Sequence, residues 1–273
     1  METTAEKRSS TARRVAAGTA AAALTAAALT AAAVAVAAAP ATAAPAMAAP
    51  PASPVAAAPS AAPVYDFGDC PAIPAGVDAS SWKCEVLTAT GALDLGSRRI
   101  PELAPMTVTH AEGPMPDGSR GQVWGALRGG PTEVPGGLLD RTGEAGHPLF
   151  SLSLQPEYGG RSDFYSVGSS MGLFTLRFRV QSPLLPRDCV IGGGDEPLEI
   201  RLQRVGGSRW LSKNPPVIAF DAKDDTFTAP AAEGCGPLGR LVNRRLGLPA
   251  ATGNSLAFSA TYTFKTYDRL PPR

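Results

Sequence analysis

The sequence predicts an all-β protein: an antiparallel β-sandwich, with a barrel as the alternative, one short helix and two disulfide bonds. Short runs of alternating apolar and polar residues recur along the chain, and clusters of Gly, Pro and Asp separate them. Four cysteines follow an N-terminus that resembles a secretory leader. Regular spacing of short strands is typical of sandwiches and barrels, and we prefer the sandwich.

The clearest strand signal lies at 174–181, where four apolar residues alternate with Thr, Arg, Arg and Gln. A period of two places the apolar set on one face of the strand and the polar set on the other. Pro183 ends the strand because proline has no amide hydrogen for a sheet ladder. The longest strand signal, at 255–267, alternates in the same way, which suits an antiparallel sheet with one face on a core.

The remaining strands are predicted from the same period and from the turn residues between them. In order, all the predicted strands are 81–88, 106–112, 122–128, 149–155, 174–181, 198–205, 217–222 and 255–267. Only 238–246 has a helical pattern, bounded by Pro237 and Gly247.

Residues 1–43 have the order of parts of a signal peptide. Basic residues lie among the first 14 positions, an uncharged Ala-rich stretch follows, and small residues at Ala43 and Ala48 mark two candidate cleavage sites. The alternative is an uncleaved membrane anchor, because the uncharged stretch is long enough to cross a bilayer. We favour cleavage, since alanine is a weak membrane former.

Residues 44–64 are predicted to be an Ala/Pro-rich disordered linker, and 65–273 a single secreted β domain. All cysteines, tryptophans and histidines lie in this last part. The formal net charge of the chain is +1 and no Lys/Arg run occurs, which argues against binding to nucleic acid. We expect a partner in the cell envelope or the extracellular space, and contact with a membrane only if the leader is retained.

The four cysteines, Cys70, Cys84, Cys189 and Cys235, are predicted to form two disulfides. Three pairings are possible, and connectivity cannot be deduced from sequence. The sequential pairing is the simplest on chain proximity. A zinc site is disfavoured because no C-x-x-C motif occurs.

Gly168-Ser-Ser-Met-Gly172 matches G-x-S-x-G, the nucleophile elbow of serine hydrolases. That motif requires a helix after the serine, whereas a strand pattern follows Ser170, and both His110 and His147 precede it. We therefore predict a hairpin turn here. A hydrolase remains the alternative if another fold brings these groups together.

His110 and Glu112 would project from one face of a strand, so a histidine and carboxylate pair is possible. Without a nucleophile or metal nearby in sequence, we interpret the pair as a solvated polar face. The acidic segment 221–225 departs from the spacing of a calcium loop and is predicted to be a polar hairpin turn. Gly192-Gly-Gly194 is predicted to be a turn and not a phosphate loop, because Asp195 and Glu196 follow.

The aromatic residues admit two interpretations, a platform that stacks sugar rings or ordinary core filling. We favour core filling because tryptophans in this number are ordinary for a domain of this size. The residues concerned are Trp82, Trp124, Trp210, Phe164 and Tyr165.

Several segments carry a resemblance to a family. They are 69–71 with 82–85, 105–109 with 111–113, 134–139, 182–185 with 189–192, and 246–249. In these segments the chain resembles an uncharacterised family of secreted proteins of high-GC actinobacteria. The resemblance implies a secreted, four-cysteine β domain and transfers no catalytic residue.

Together these observations predict a secreted or envelope-exposed β domain with a non-enzymatic binding or structural role, and no catalytic residue, cofactor or metal. Two alternatives stay open. One is a secreted hydrolase built on His110, Glu112 and a serine; the other is a carrier of a hydrophobic ligand, which requires an apolar cavity.

Overall fold

A computed structural model describes residues 65–140, 148–164 and 167–271; residues 1–64, with the predicted leader and linker, lie outside them. In the described residues the chain forms eleven strands and one α-helix, α1 (Gly239–Leu246). The strands are β1 (Lys83–Leu95), β2 (Arg98–Pro114), β3 (Arg120–Gly129), β4 (Thr132–Glu133), β5 (Ser153–Asp163), β6 (Ser170–Gln181), β7 (Val190–Ile191), β8 (Leu198–Lys213), β9 (Pro216–Asp224), β10 (Ala232–Glu233) and β11 (Ser255–Thr266).

The strands join into one antiparallel sheet. The hydrogen-bonded order is β3-β2-β1-β11-β9-β8-β6-β5-β4. Strand β8 pairs with the N-terminal half of β6, and the short strand β7 pairs with its C-terminal half. Strand β10 pairs in turn with β7. The sheet curls into a half-barrel and brings its β3 edge against β5. There the side-chain Nε2 of Gln155 donates to the carbonyl of Gly129 at 2.9 Å, and Trp124 stacks on Tyr158 with 3.8 Å between ring centroids.

The predicted fold class is therefore confirmed: all-β and antiparallel, with one short helix and two disulfides. The two layers of the sandwich-like arrangement come from one continuous sheet, because the strands twist and the sheet folds back on itself.

The main core fills the concave side of the sheet. On β6 the four predicted apolar residues, Phe174, Leu176, Phe178 and Val180, are buried. On the predicted polar face Arg177 is exposed, whereas Thr175 is buried as well. At about 25 cal/mol per Å² of apolar surface, each of the four apolar side chains stabilises the fold by about 1.5 to 3 kcal/mol. A smaller cluster on the convex side surrounds the disulfide between Cys70 and Cys84.

Both disulfides of the sequential pairing are present. Cys70 bonds Cys84 and Cys189 bonds Cys235, with Cα–Cα distances of 5.7 and 4.2 Å. No cysteine in the described residues is free, so no thiolate is left there for zinc.

Helix α1 ends at Gly247, whose φ of 71° is a left-handed C-cap that glycine adopts without strain. The buried Arg245 of this helix donates to the carbonyl oxygens of Gly137 (2.6 Å) and Pro135, and so holds the loop after β4 against the helix. In the described residues no helix has the length and apolar character that a bilayer crossing requires.

Two predictions about elements are wrong. The segment 221–224 is not a hairpin turn but the end of β9, where buried Asp224 accepts hydrogen bonds from the backbone N–H groups of Arg201 and Thr226 at 2.6 and 2.8 Å. The strand predicted at 149–155 begins only at Ser153 and continues to Asp163. Pro156, which predicts a break, keeps its place in the ladder opposite Phe178. Gly159 and Gly160 lie within a register shift between Tyr158 and Ser162, which accommodates them in the strand.

Candidate functional site

A cavity of about 250 Å³ lies inside the curl of the sheet. Its apolar floor is formed by Leu87, Val108, Met171, Phe174, Leu202, Phe220 and Phe258. The cavity reaches the surface beside Arg120 and Ser208, whose side chains are exposed. Strand alternation explains how residues far apart in sequence meet there, because every second residue of β1, β2, β8 and β11 points into the curl.

One end of the cavity is polar. Glu85 of β1 and His110 of β2 are directly opposite each other in the antiparallel ladder, and the carboxylate Oε2 lies 3.8 Å from the imidazole Nε2. Glu112, two residues further along β2, also lines the cavity and pairs with Arg120 at 3.4 Å. Tyr262 and Arg204 complete this end.

Burial changes the charges of the Glu85 and His110 pair. It raises the pKa of Glu85 to about 7, and the charge of Glu112 adds to the effect, while Lys83 and Arg120 oppose it. Burial also lowers the pKa of His110 to about 4. Between these values the contact joins a carboxylic acid and a neutral imidazole, so it is not an ion pair at mildly acidic pH. Burial, followed by the charge of Glu85, raises the pKa of Tyr262.

An aromatic wall closes the cavity on the side of β3 and β5. The ring of Phe164 lies 4.7 Å from the imidazole of His110 and 6.1 Å from both Trp124 and Phe174, measured between centroids. Its backbone N–H donates to the Oε1 of Gln122 at 3.0 Å. These contacts join the two sides of the curl and leave the polar end bounded by flat, rigid surfaces.

Three buried nitrogen atoms near this end have no hydrogen-bond partner in the described part of the chain. They are Nδ1 of His110, Nε of Arg204 and Nε2 of Gln122. A buried polar atom without a hydrogen-bond partner lowers the stability of the fold by about 1 to 3 kcal/mol. A solvent molecule or a ligand in the cavity that hydrogen-bonds to these atoms would remove that cost.

The structure brings His110 and Glu112 to the same site, as their spacing allowed, but the interpretation of a solvated polar face is wrong for His110. Its side chain is 10% exposed, because β2 turns this face toward the inside of the curl. Glu85 was not predicted, since only the register between β1 and β2 places it opposite the histidine.

The other segments that the sequence analysis considered for catalysis, phosphate binding or metal binding form turns and strands, or fall outside the described residues. Ser170 begins β6 directly after a tight turn, where Val167 and Ser170 exchange backbone hydrogen bonds, so the segment 168–172 is the predicted turn followed by a strand. The segment 192–194 forms the turn after β7. In the ranges described, no three His, Cys, Asp or Glu side chains group closely enough to hold a metal ion. His147 and Tyr165 fall outside the described residues.

The three tryptophans separate in the structure instead of forming one platform. Trp82 is fully buried against Gly113 of β2 and Gly121 of β3, and its indole N–H donates to the carbonyl of Pro114 at 2.9 Å. Trp124 belongs to the aromatic wall. Trp210 is 57% exposed on β8. Core filling is therefore confirmed for Trp82 and not for Trp210.

Comparisons of the chain with protein-family models, with curated proteins and with solved structures return no match.

Proposed function

We propose that this is a secreted protein whose β domain binds a small amphipathic molecule inside the curled sheet, without chemically changing it. The observation that carries the proposal is the cavity, which combines an apolar floor with a buried polar end. Ligand sites typically have this composition, in which apolar walls supply affinity and a few polar groups fix orientation.

The size of the cavity limits the ligand. Ligand pockets for drug-sized molecules hold about 300 to 1,000 Å³, and this cavity lies just below that range at about 250 Å³. At about 30 Å³ for each water-sized group, that volume accepts a chain of about eight carbons. A compact ligand or a short acyl chain therefore fits, whereas a long unbranched lipid would extend beyond the opening.

Secretion is supported by the order of parts in residues 1–43 and by the two disulfides, which persist in oxidising compartments. N-terminal sequencing of the exported protein would test this part, with a new N-terminus near Ala43 or Ala48 as the expected result and an intact Met1 as the contrary one.

Calorimetric titration with octanoate, octan-1-ol and octylamine tests the binding function. We expect saturable binding of at least one of them at one site per chain. Leu87→Trp places an indole in the floor and should abolish that binding, because the cavity has no room for both. Thr90→Trp is the matched control: the residue is exposed and projects from the opposite face of the same strand.

Two results would contradict the binding function. Absence of saturable binding for all three compounds is one, and binding that survives Leu87→Trp is the other. Hydrolysis of p-nitrophenyl octanoate that disappears in His110→Ala would instead support the hydrolase, since Ser208 lines the same cavity as His110 and Glu85.

A further inference from the structure

The unpartnered atoms of the cavity show what kind of polar group a ligand must offer. Two of them belong to residues that line the cavity: the Nε of Arg204 can only donate a hydrogen bond, and the Nδ1 of His110 can donate or accept. A ligand that supplies acceptors satisfies both atoms, whereas a ligand that supplies only donors leaves the Nε of Arg204 unsatisfied.

The charges around these atoms also favour a ligand that supplies hydrogen-bond acceptors. Glu112 is already paired with Arg120 at 3.4 Å. Burial raises the pKa of Glu85 to about 7, so below that pH this side chain is mostly a neutral acid that can itself donate a hydrogen bond. Arg204 lines the cavity and forms no ion pair with a carboxylate in the described ranges. The charge left without a counterion in the cavity is therefore positive.

We infer that the cavity binds an organic acid, with the carboxylate beside Arg204 and His110 and the apolar chain along the floor formed by residues such as Leu202 and Phe258. This inference rests on the proposed function and specifies its ligand. The reverse arrangement, an amine held by Glu85 and Glu112, would leave Arg204 beside a second cation and would have to displace Arg120 from Glu112.

The test compares three head groups on one chain. Octanoate, octan-1-ol and octylamine have the same apolar part, so differences in affinity report on the polar end alone. At pH 6 we expect octanoate to bind about tenfold or more tightly than octan-1-ol, as befits a hydrogen bond to a charged group, and octylamine to bind least.

Variants then locate the effect. Arg204→Gln should weaken octanoate binding about tenfold and leave octan-1-ol within about twofold, and Arg204→Lys should recover part of the octanoate affinity because it keeps the charge. Arg209→Gln is the matched control, since Arg209 is an exposed arginine of the same strand and does not line the cavity. Thermal unfolding of each variant verifies that it is folded.

The outcomes separate this inference from the function on which it rests. If octan-1-ol or octylamine binds as tightly as octanoate, the cavity is a binding site but the organic acid is wrong. If Arg204→Gln weakens all three compounds equally, the arginine supports the fold and does not bind the carboxylate. If none of the three binds, both the function and the inference fail.

Discussion

Glu85 and His110 face each other across the ladder between β1 and β2, with 3.8 Å between the carboxylate and the imidazole. Water is largely removed from both, so each is driven toward its uncharged form, and the fold carries two titratable groups whose charging opposes folding. Such groups are uncommon in a core unless a site requires them. The charged and titratable groups around Glu85 are Lys83, His110, Glu112, Arg120, Arg204 and Tyr262.

The buried carboxyl of Glu85 should make the stability of the protein depend on pH. The pKa of Glu85 is raised from 4.5 to about 7 in the folded state, so its contribution to stability is fully present below 4.5 and is lost as the pH rises through 7. Glu85→Gln cannot ionise and should avoid this loss. At 1.36 kcal/mol per pKa unit, the stability of Glu85→Gln relative to the natural protein should rise by about 3 kcal/mol between pH 4.5 and 7.5.

Urea unfolding at several pH values measures this difference. Glu102→Gln on the exposed part of β2 is the control, and it should show no comparable change. The titration of His110, whose stabilising neutral form is lost as the pH falls toward 4, is common to both proteins and cancels in the difference. A constant difference between Glu85→Gln and the natural protein would show that Glu85 is not held neutral by burial.

The sequence predicted that His110 and Glu112 share a face, but it did not indicate that Glu85 lies opposite His110. His110 and Glu112 could be placed on one face from their spacing alone. The identity of Glu85 depends on which residue of β1 lies opposite His110, and register is set by long-range packing and not by the local pattern. The burial of His110 also followed from the curl of the sheet, which no single strand encodes.

Among the elements, the strands with strict alternation were predicted well. Strand β11 matches the predicted segment to within one residue, and β6 ends where predicted, because one face of each is buried against a continuous core. Strand β6 begins earlier than predicted, at Ser170. Strand β8 was predicted to end at Val205 but continues to Lys213. From Val205 to Lys213 every residue except Ser212 is exposed, so no apolar period in the sequence indicates a strand there. There the pairing with β9, not burial, defines the element.

Gly91 shows how tightly the central strands pack. A Cβ at this position of β1 would overlap the carbonyl oxygen of Ala257 and the Cα of Phe258 on β11. Only glycine permits that approach, and the ladder with β2 shifts register on either side of it. Strands β1 and β11, which both line the cavity, are therefore in close contact at this position.

Each disulfide should contribute several kcal/mol to the free energy of unfolding. Replacing both Cys189 and Cys235 by Ala should lower the free energy of unfolding by about 4 kcal/mol, and replacing both Cys70 and Cys84 by about 3 kcal/mol, because the first bond closes the longer loop. Denaturant unfolding of the two double variants measures both values. Unchanged unfolding midpoints would mean that neither bond constrains the unfolded chain in solution.

At the scale of the whole molecule, the curl of the sheet is what creates a site. The all-β class, the helix and the presence of two disulfides could be expected from alternation, turn residues and the four cysteines, and the sequential pairing was only the simplest of three. The meeting of β3 with β5 could not be expected, because it depends on the summed twist of many strands and on contacts such as Trp124 with Tyr158. The cavity exists only as a consequence of that meeting, so its ligand chemistry was not readable from any one segment.

A two-dimensional ¹H–¹⁵N NMR titration of residues 65–273 with octanoate would show directly whether a ligand binds inside the curled sheet, because the backbone amides report where it binds. We predict saturable shifts of the amides that surround the cavity, those of Glu85, Leu87, His110 and Arg204 among them, and little change on the convex face at Thr90 and Asp221. Shifts confined to the convex face, or none at all up to saturating octanoate, would contradict a ligand site inside the curled sheet.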